Sequence, residues 1–179
     1  MLRFIYLLSI FLLSNSQQCL CLQYDYFWRD YIDGEVPRDA IVAGRNNNSE
    51  NIYIGQAYVH KLGLATCEIF SGVKEVYVPM YGIQKVEDYI KILCGTQQNL
   101  YWMSTTSTSL PTLLLDHVAV IGGNEDGQNG KGTLYVGRIH FNGELKIGKI
   151  DTFNGTFIHF NNNMKEEHSN SYEILLLKK

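Results

Sequence analysis

The feature that most constrains this 179-residue chain is that its second half answers its first, block by block. VPRDAIVAG at 36–44 is answered by LLDHVAVIGG at 114–123, NIYIGQA at 51–57 by TLYVGRI at 133–139, and DYIKIL at 88–93 by SYEILL at 171–176. Trp28 and Trp102 stand ahead of their respective halves. Tyr53 and Tyr135 are 82 positions apart, as are Leu93 and Leu175. Gly44 to Gly122 spans only 78, because the loop GGNEDGQNGKG in the second half is longer. Blocks kept in register over units of this size predict a duplicated domain, with repeats at 25–98 and 99–177 packed in pseudo-twofold symmetry.

Each unit reads as antiparallel β, which makes the fold class all-β. RIHF-NG-ELKI places Asn142-Gly143 between two short runs, and IDTF-NG-TFIHF repeats the device at Asn154-Gly155. Asn-Gly accepts positive φ at both central positions, as a two-residue type I′ hairpin requires. Ser71-Gly72, between CEIF and VKEVYV, predicts a third hairpin. KVEDYIKIL is ambiguous: Val86, Tyr89, Ile90 and Leu93 have helical spacing, whereas YIKIL alternates and is β-branched. Its match to SYEILL favours a strand. Aromatic residues, 12 Tyr and 8 Phe among them, suit β-structure or a sugar-binding surface.

The chain opens like a secretory signal. Arg3 supplies the positive region and Phe4 to Leu13 an apolar run too short to span a bilayer. Cleavage is expected after Ser16, or alternatively after Cys21, leaving a secreted, extracellular protein without stable membrane insertion. In an oxidising compartment Cys67 and Cys94 are a candidate disulfide, the alternative being two buried free thiols. Cys19 and Cys21 leave with the signal or stay on an N-terminal stub. Asn47-Asn48-Ser49 and Asn154-Gly155-Thr156 are glycosylation sequons, with Asn47 and Asn154 as acceptors.

The order of the blocks resembles the DM-nine repeat family, small invertebrate proteins carrying tandem copies of one motif. The resemblance covers residues 25–177 and rests on AVIGG, LYVGRI, the GELKIGK segment, YVPMYG and SYEILL. It implies a β-fold in which two repeats pack together, and recognition of mannose-type glycans or microbial surface carbohydrate. The lectins of this family grip sugar with an acidic residue after the double glycine and a lysine at the end of the Pro-Gly-Lys block. Carried over, the lysine is Lys149, although Ile147 stands where the proline would. The acidic position falls on Glu125, with Asp126 beside it. Arg138 and His140 match a Gly-Arg-x-x-His block, with the histidine one place early. In the first repeat the acidic position reads Asn46, and the lysine position reads Cys67 or Glu68 depending on the end from which it is counted. That half is expected to be structural, and a monovalent chain would need a homo-oligomer to agglutinate.

Other classes of function find little support. With 15 Lys and Arg against 18 Asp and Glu, the net charge of −3 argues against nucleic acid as a partner. No Gly-x-Ser-x-Gly, His-Glu-x-x-His or dinucleotide fingerprint is present, so no enzyme activity and no cofactor are expected. GQNGKGT departs from a phosphate loop, NEDGQNG from the EF-hand spacing, and neither cysteines nor histidines have zinc-site spacing, so no metal is expected.

Overall fold

A computed structural model describes residues 26–127 and 131–178. The signal-like segment, Cys19 and Cys21 lie outside the described residues. The first half contributes β1 (Tyr26–Asp30), β2 (Val42–Arg45), β3 (Asn51–Val59), β4 (Gly63–Ile69), β5 (Val76–Pro79), β6 (Ile83–Val86) and β7 (Ile90–Gly95). A short 3-10 turn at Gln97–Asn99 leads to the second half. This comprises β8 (Leu100–Thr106), α1 (Leu110–Asp116), β9 (Val118–Ala119), β10 (Ile121–Asp126) and β11 (Lys131–Phe141), then β12 (Glu144–Ile150), β13 (Ile158–Asn162), β14 (Lys165–Ser169) and β15 (Ser171–Leu177).

Every described ladder is antiparallel, and the halves use the same pairings. The β1–β7, β7–β3 and β3–β4 ladders recur as β8–β15, β15–β11 and β11–β12. Even the irregularity repeats: β2 slips on β3 between Val42 and Gly44, and β10 slips on β11 between Ile121 and Gly123. Gly44 therefore matches Gly123 rather than Gly122, one place from the register read in the sequence. The halves meet where β10 pairs with β4, through Asn124 opposite Leu64 and Glu125 opposite Gly63, within a thirteen-stranded sheet. Only glycine fits at this seam. A Cβ on Gly123 would lie 2.1 Å from the Leu64 carbonyl oxygen, and one on Gly63, at φ +117°, 2.1 Å from that of Asn124.

Alternation buries one face of each strand in three apolar clusters. One belongs mainly to the first half around Ile92, Val78 and Met80, and one to the second around Phe160 and Ile174. The middle cluster mixes them, placing Ile52, Ile54 and Leu93 with Val136, Ile147 and Leu175, so each half completes the other's core. Helix α1 begins with a proline in its first turn, where a missing N–H costs nothing, and seats Leu110 on the second-half cluster. Among the described residues no helix is long and apolar enough to cross a membrane.

The turns sort the sequence expectations. Asn142 (φ 51°) and Gly143 (φ 82°) form the expected two-residue link between β11 and β12. Asn154-Gly155 does lie between paired strands, but within a wider loop from Asp151 to Phe157. Ser71-Gly72 closes no hairpin, because β5 leaves β4 to pair with β6 as a separate two-stranded sheet. The 86–93 segment is extended rather than helical, split between the end of β6 and β7.

The Cys67–Cys94 disulfide is corrected: both are free, buried thiols. Gly55 on β3 pairs with Cys67 on β4 on one side and with Ile92 on β7 on the other. Two interstrand spacings put β4 and β7 roughly 9–10 Å apart, beyond the roughly 7 Å that a disulfide can bridge between Cα atoms. Burial raises the pKa of both thiols, that of Cys94 to about 11.

Candidate functional site

The second repeat builds an open cleft of about 620 Å³ around Lys149 and Glu125. On β12, Leu145, Ile147 and Lys149 share a face by alternation, and the first two are core residues. Lys149 is the last of the three, where the core gives way to the cleft. Glu125 lies opposite a glycine on each flanking strand, Gly63 on β4 and Gly132 on β11. The Lys149 ammonium donates to Glu125 Oε2 at 2.6 Å, with each residue only 4% exposed. The next residue on β10, Asp126, points the other way and pairs with Lys131 at the exposed surface. The structure thus brings Glu125 to Lys149 and leaves Asp126 outside the cleft.

The cross-strand neighbours of Lys149 extend the polar floor. Lys149 on β12 is opposite His159 on β13, which is opposite His168 on β14. The His159 ring is held between two carboxylates, Nε2 to Asp151 Oδ2 at 3.0 Å and Nδ1 to Glu166 Oε1 at 3.3 Å. Burial opposes charge on the ring, but the two carboxylates outweigh it and raise the pKa to about 9. His159 is therefore an imidazolium at neutral pH. Glu166 is also desolvated, yet His159, the Gly82 N–H and Lys149 together lower its pKa below the ordinary value. Asp151 is buried, and its Oδ1 accepts the backbone N–H groups of Asn154 and Thr156, fixing the loop that forms one wall.

The opposite wall comes from the first repeat. The turn between β5 and β6 extends Tyr81 and Gly82 over the second repeat, and Gly82 N–H donates to Glu166 Oε2 at 2.6 Å. The Tyr81 ring, 43% exposed, lies 5.9 Å from the Lys149 ammonium. Phe153 and Met164 add apolar surface at the mouth. Both repeats are needed to complete this one cleft.

The matching position in the first repeat has a different chemistry. Because Ile54 is opposite Glu68 as Val136 is opposite Lys149, the partner of Lys149 is Glu68 and not Cys67. The extra residue lies in the β3–β4 turn, where three residues do the work of Asn142-Gly143. Asn46, the counterpart of Glu125, is used within its own loop, its Oδ1 accepting the N–H groups of Asn48 and Glu50. Glu68 accepts the Ile147 N–H at 2.9 Å, and burial raises its pKa to about 7. A smaller cleft of about 430 Å³ lies here, and Lys146, the one cation among the described residues that line it, is paired with Glu144.

Of the other positions read from the motif, Arg138 has structural partners. Arg138 bonds Glu173 at 2.7 Å and the Ala43 carbonyl at 2.6 Å, and stacks on Trp102, tying the halves together away from the cleft. His140 is exposed on β11. Asn47 and Asn154 both lie on exposed loops. Among the described residues no group of three or more His, Cys, Asp or Glu side chains is placed to hold a metal ion.

Comparison with known proteins fits this architecture. The family model described as the DM9 repeat matches residues 12–85 and again 58–163. The fold is similar to that of the nematode sperm cell motility protein MFP2B, with a TM-score of 0.58 and 12% identity. That similarity covers 86% of this chain and 47% of the other, so the chain spans about half the length of its structural neighbour. No curated protein matches the sequence.

Proposed function

The chain belongs to the DM9 repeat family, and from that premise we propose that it is a secreted, lectin-like recognition protein that binds mannose-type carbohydrate in the second-repeat cleft. The observation that carries the reading is the buried Lys149–Glu125 pair at the floor of an open, polar cleft with aromatic walls. An ammonium has three donors and only one is engaged by Glu125 Oε2; the carboxylate has a second oxygen. The pair thus offers a donor and an acceptor side by side, the grip that adjacent sugar hydroxyls require. Hydrogen bonds to charged groups are worth about 1.5–3 kcal/mol each, enough for weak, monovalent binding. Tyr81 and Phe153 offer apolar surface to the C–H face of a pyranose ring.

A glycan array of purified protein, run beside Lys149→Met and the double variant Glu125→Gln/Lys149→Met, tests the reading. Mannose-terminated signal that disappears in both variants, with the double variant still folded, is the expected result. A blank array from folded wild-type protein whose N-glycans have been trimmed would overturn it. The second reading is a non-catalytic interaction protein that kept the fold and lost sugar binding. The observation favouring it is Glu68, which puts a carboxylate where a second sugar-binding lysine would stand.

A further inference from the structure

We propose that Asn154 carries an N-linked glycan that covers the second-repeat cleft, so that glycosylation of this residue sets access to Lys149 and Glu125. The inference rests on the reading of the chain as a secreted protein. Asn154 is exposed and lines the cleft itself, in the sequon Asn154-Gly155-Thr156. Its position is fixed by the cleft's own chemistry. Asp151, which bonds His159 through one carboxylate oxygen, uses the other to accept the N–H groups of Asn154 and Thr156. The Thr156 hydroxyl donates to the Ser107 carbonyl, and the Tyr172 hydroxyl donates to the Thr156 carbonyl. A loop tied down at so many points sends an attached glycan from a constant place on the wall of the cleft that Tyr81 and Met164 also line.

The modification is a substitution. Asn154 Nδ2 forms a bond to the anomeric carbon of an oligosaccharide carried on a lipid pyrophosphate. The carbon–oxygen bond to the pyrophosphate breaks, its electron pair leaves with that group, and the amide proton is released. The other sequon provides an internal comparison. Asn47 lines the smaller first-repeat cleft, so its glycan would lie over Glu68 and not over Lys149.

The test uses full-length protein secreted from a eukaryotic host, compared with Asn154→Gln, with Asn47→Gln, and with wild-type protein trimmed by an endoglycosidase under native conditions. Glycopeptide mass spectrometry reads occupancy, and hydroxyl-radical footprinting reads cover at Tyr81 and Met164, which are 43% and 58% exposed without a glycan. Asn154 is expected to be occupied, and its loss by mutation or trimming to raise oxidation of Tyr81 and Met164 at least threefold. Tyr89, 82% exposed and outside the residues lining this cleft, should be unchanged, as should all three in Asn47→Gln. An unmodified Asn154, or equal oxidation with and without its glycan, would overturn the proposal. A titration with methyl α-mannoside in the same set separates the two ideas. Altered footprints without sugar binding in any form would sink the lectin reading and leave the covering role standing.

Discussion

Replacing Lys149 by methionine should be far more costly than losing a surface charge. Lys149 and Glu125 are each 4% exposed and meet at 2.6 Å, so the substitution leaves a buried carboxylate between β4 and β11 without its ammonium partner. Breaking a buried pair in this way costs about 3–5 kcal/mol. For a domain of this size each kcal/mol lowers Tm by about 2–4 °C, so a fall of roughly 6–20 °C is expected. The double variant Glu125→Gln/Lys149→Met removes both charges and should regain most of that loss. Urea denaturation of the four members of the cycle, followed by tryptophan fluorescence, measures the coupling directly. If Lys149→Met costs less than about 1 kcal/mol, the range of an exposed pair, and the two substitutions are additive, the pair is solvated and the burial argument fails. The double variant is for this reason the fairer probe of sugar binding.

The His159 ring should titrate near pH 9 by NMR, because Asp151 and Glu166 hold its proton against the opposing effect of burial; a value near 6.5 would show that the clamp is absent in solution. With the folded pKa above the unfolded one, its contribution to stability is complete below about pH 6.5 and is lost as pH rises through about 9. Glu68 has the same sign for a different reason. Its desolvated carboxyl keeps a proton that the unfolded chain has released, so stability falls as pH rises from about 4.5 to about 7. Glu68→Gln, which can still accept the Ile147 N–H, should flatten that part of the profile in urea titrations at pH 5 and pH 8; an unaltered slope would refute the assignment. Cys67 and Cys94 should retain free-thiol masses under non-reducing conditions and react with thiol reagents only on unfolding. A mass 2 Da lower in the peptide pair would restore the disulfide.

The repeat was legible because each half must solve the same packing problem, and the residues that solve it recur. Tyr53 and Tyr135, the β-bulges after Val42 and Ile121, and the paired glycines at 55 and 137 all occupy matching places. The Lys149–Glu125 pair was legible only through the resemblance. Alternation along β10 then separates Glu125 from Asp126, given a register that the sequence left one residue uncertain at Gly122-Gly123. What escaped was everything that depends on one half reaching the other. Tyr81 and Gly82 belong to a first-repeat turn that completes a second-repeat cleft, and Glu166 is 84 positions from the Gly82 N–H that it accepts. His159 gave no metal spacing and no motif; its significance comes from lying opposite Lys149 across a ladder. The disulfide expectation failed because a plausible sequence span says nothing of the strand, β3, that runs between the two cysteines.

The most direct test of the account is an NMR titration of isotope-labelled protein with methyl α-mannoside. The account predicts chemical-shift changes centred on Tyr81, Lys149, His159 and the loop at 151–156, with none at Asn46 or Glu68. Changes centred on the first-repeat cleft, or none at millimolar sugar, would contradict it.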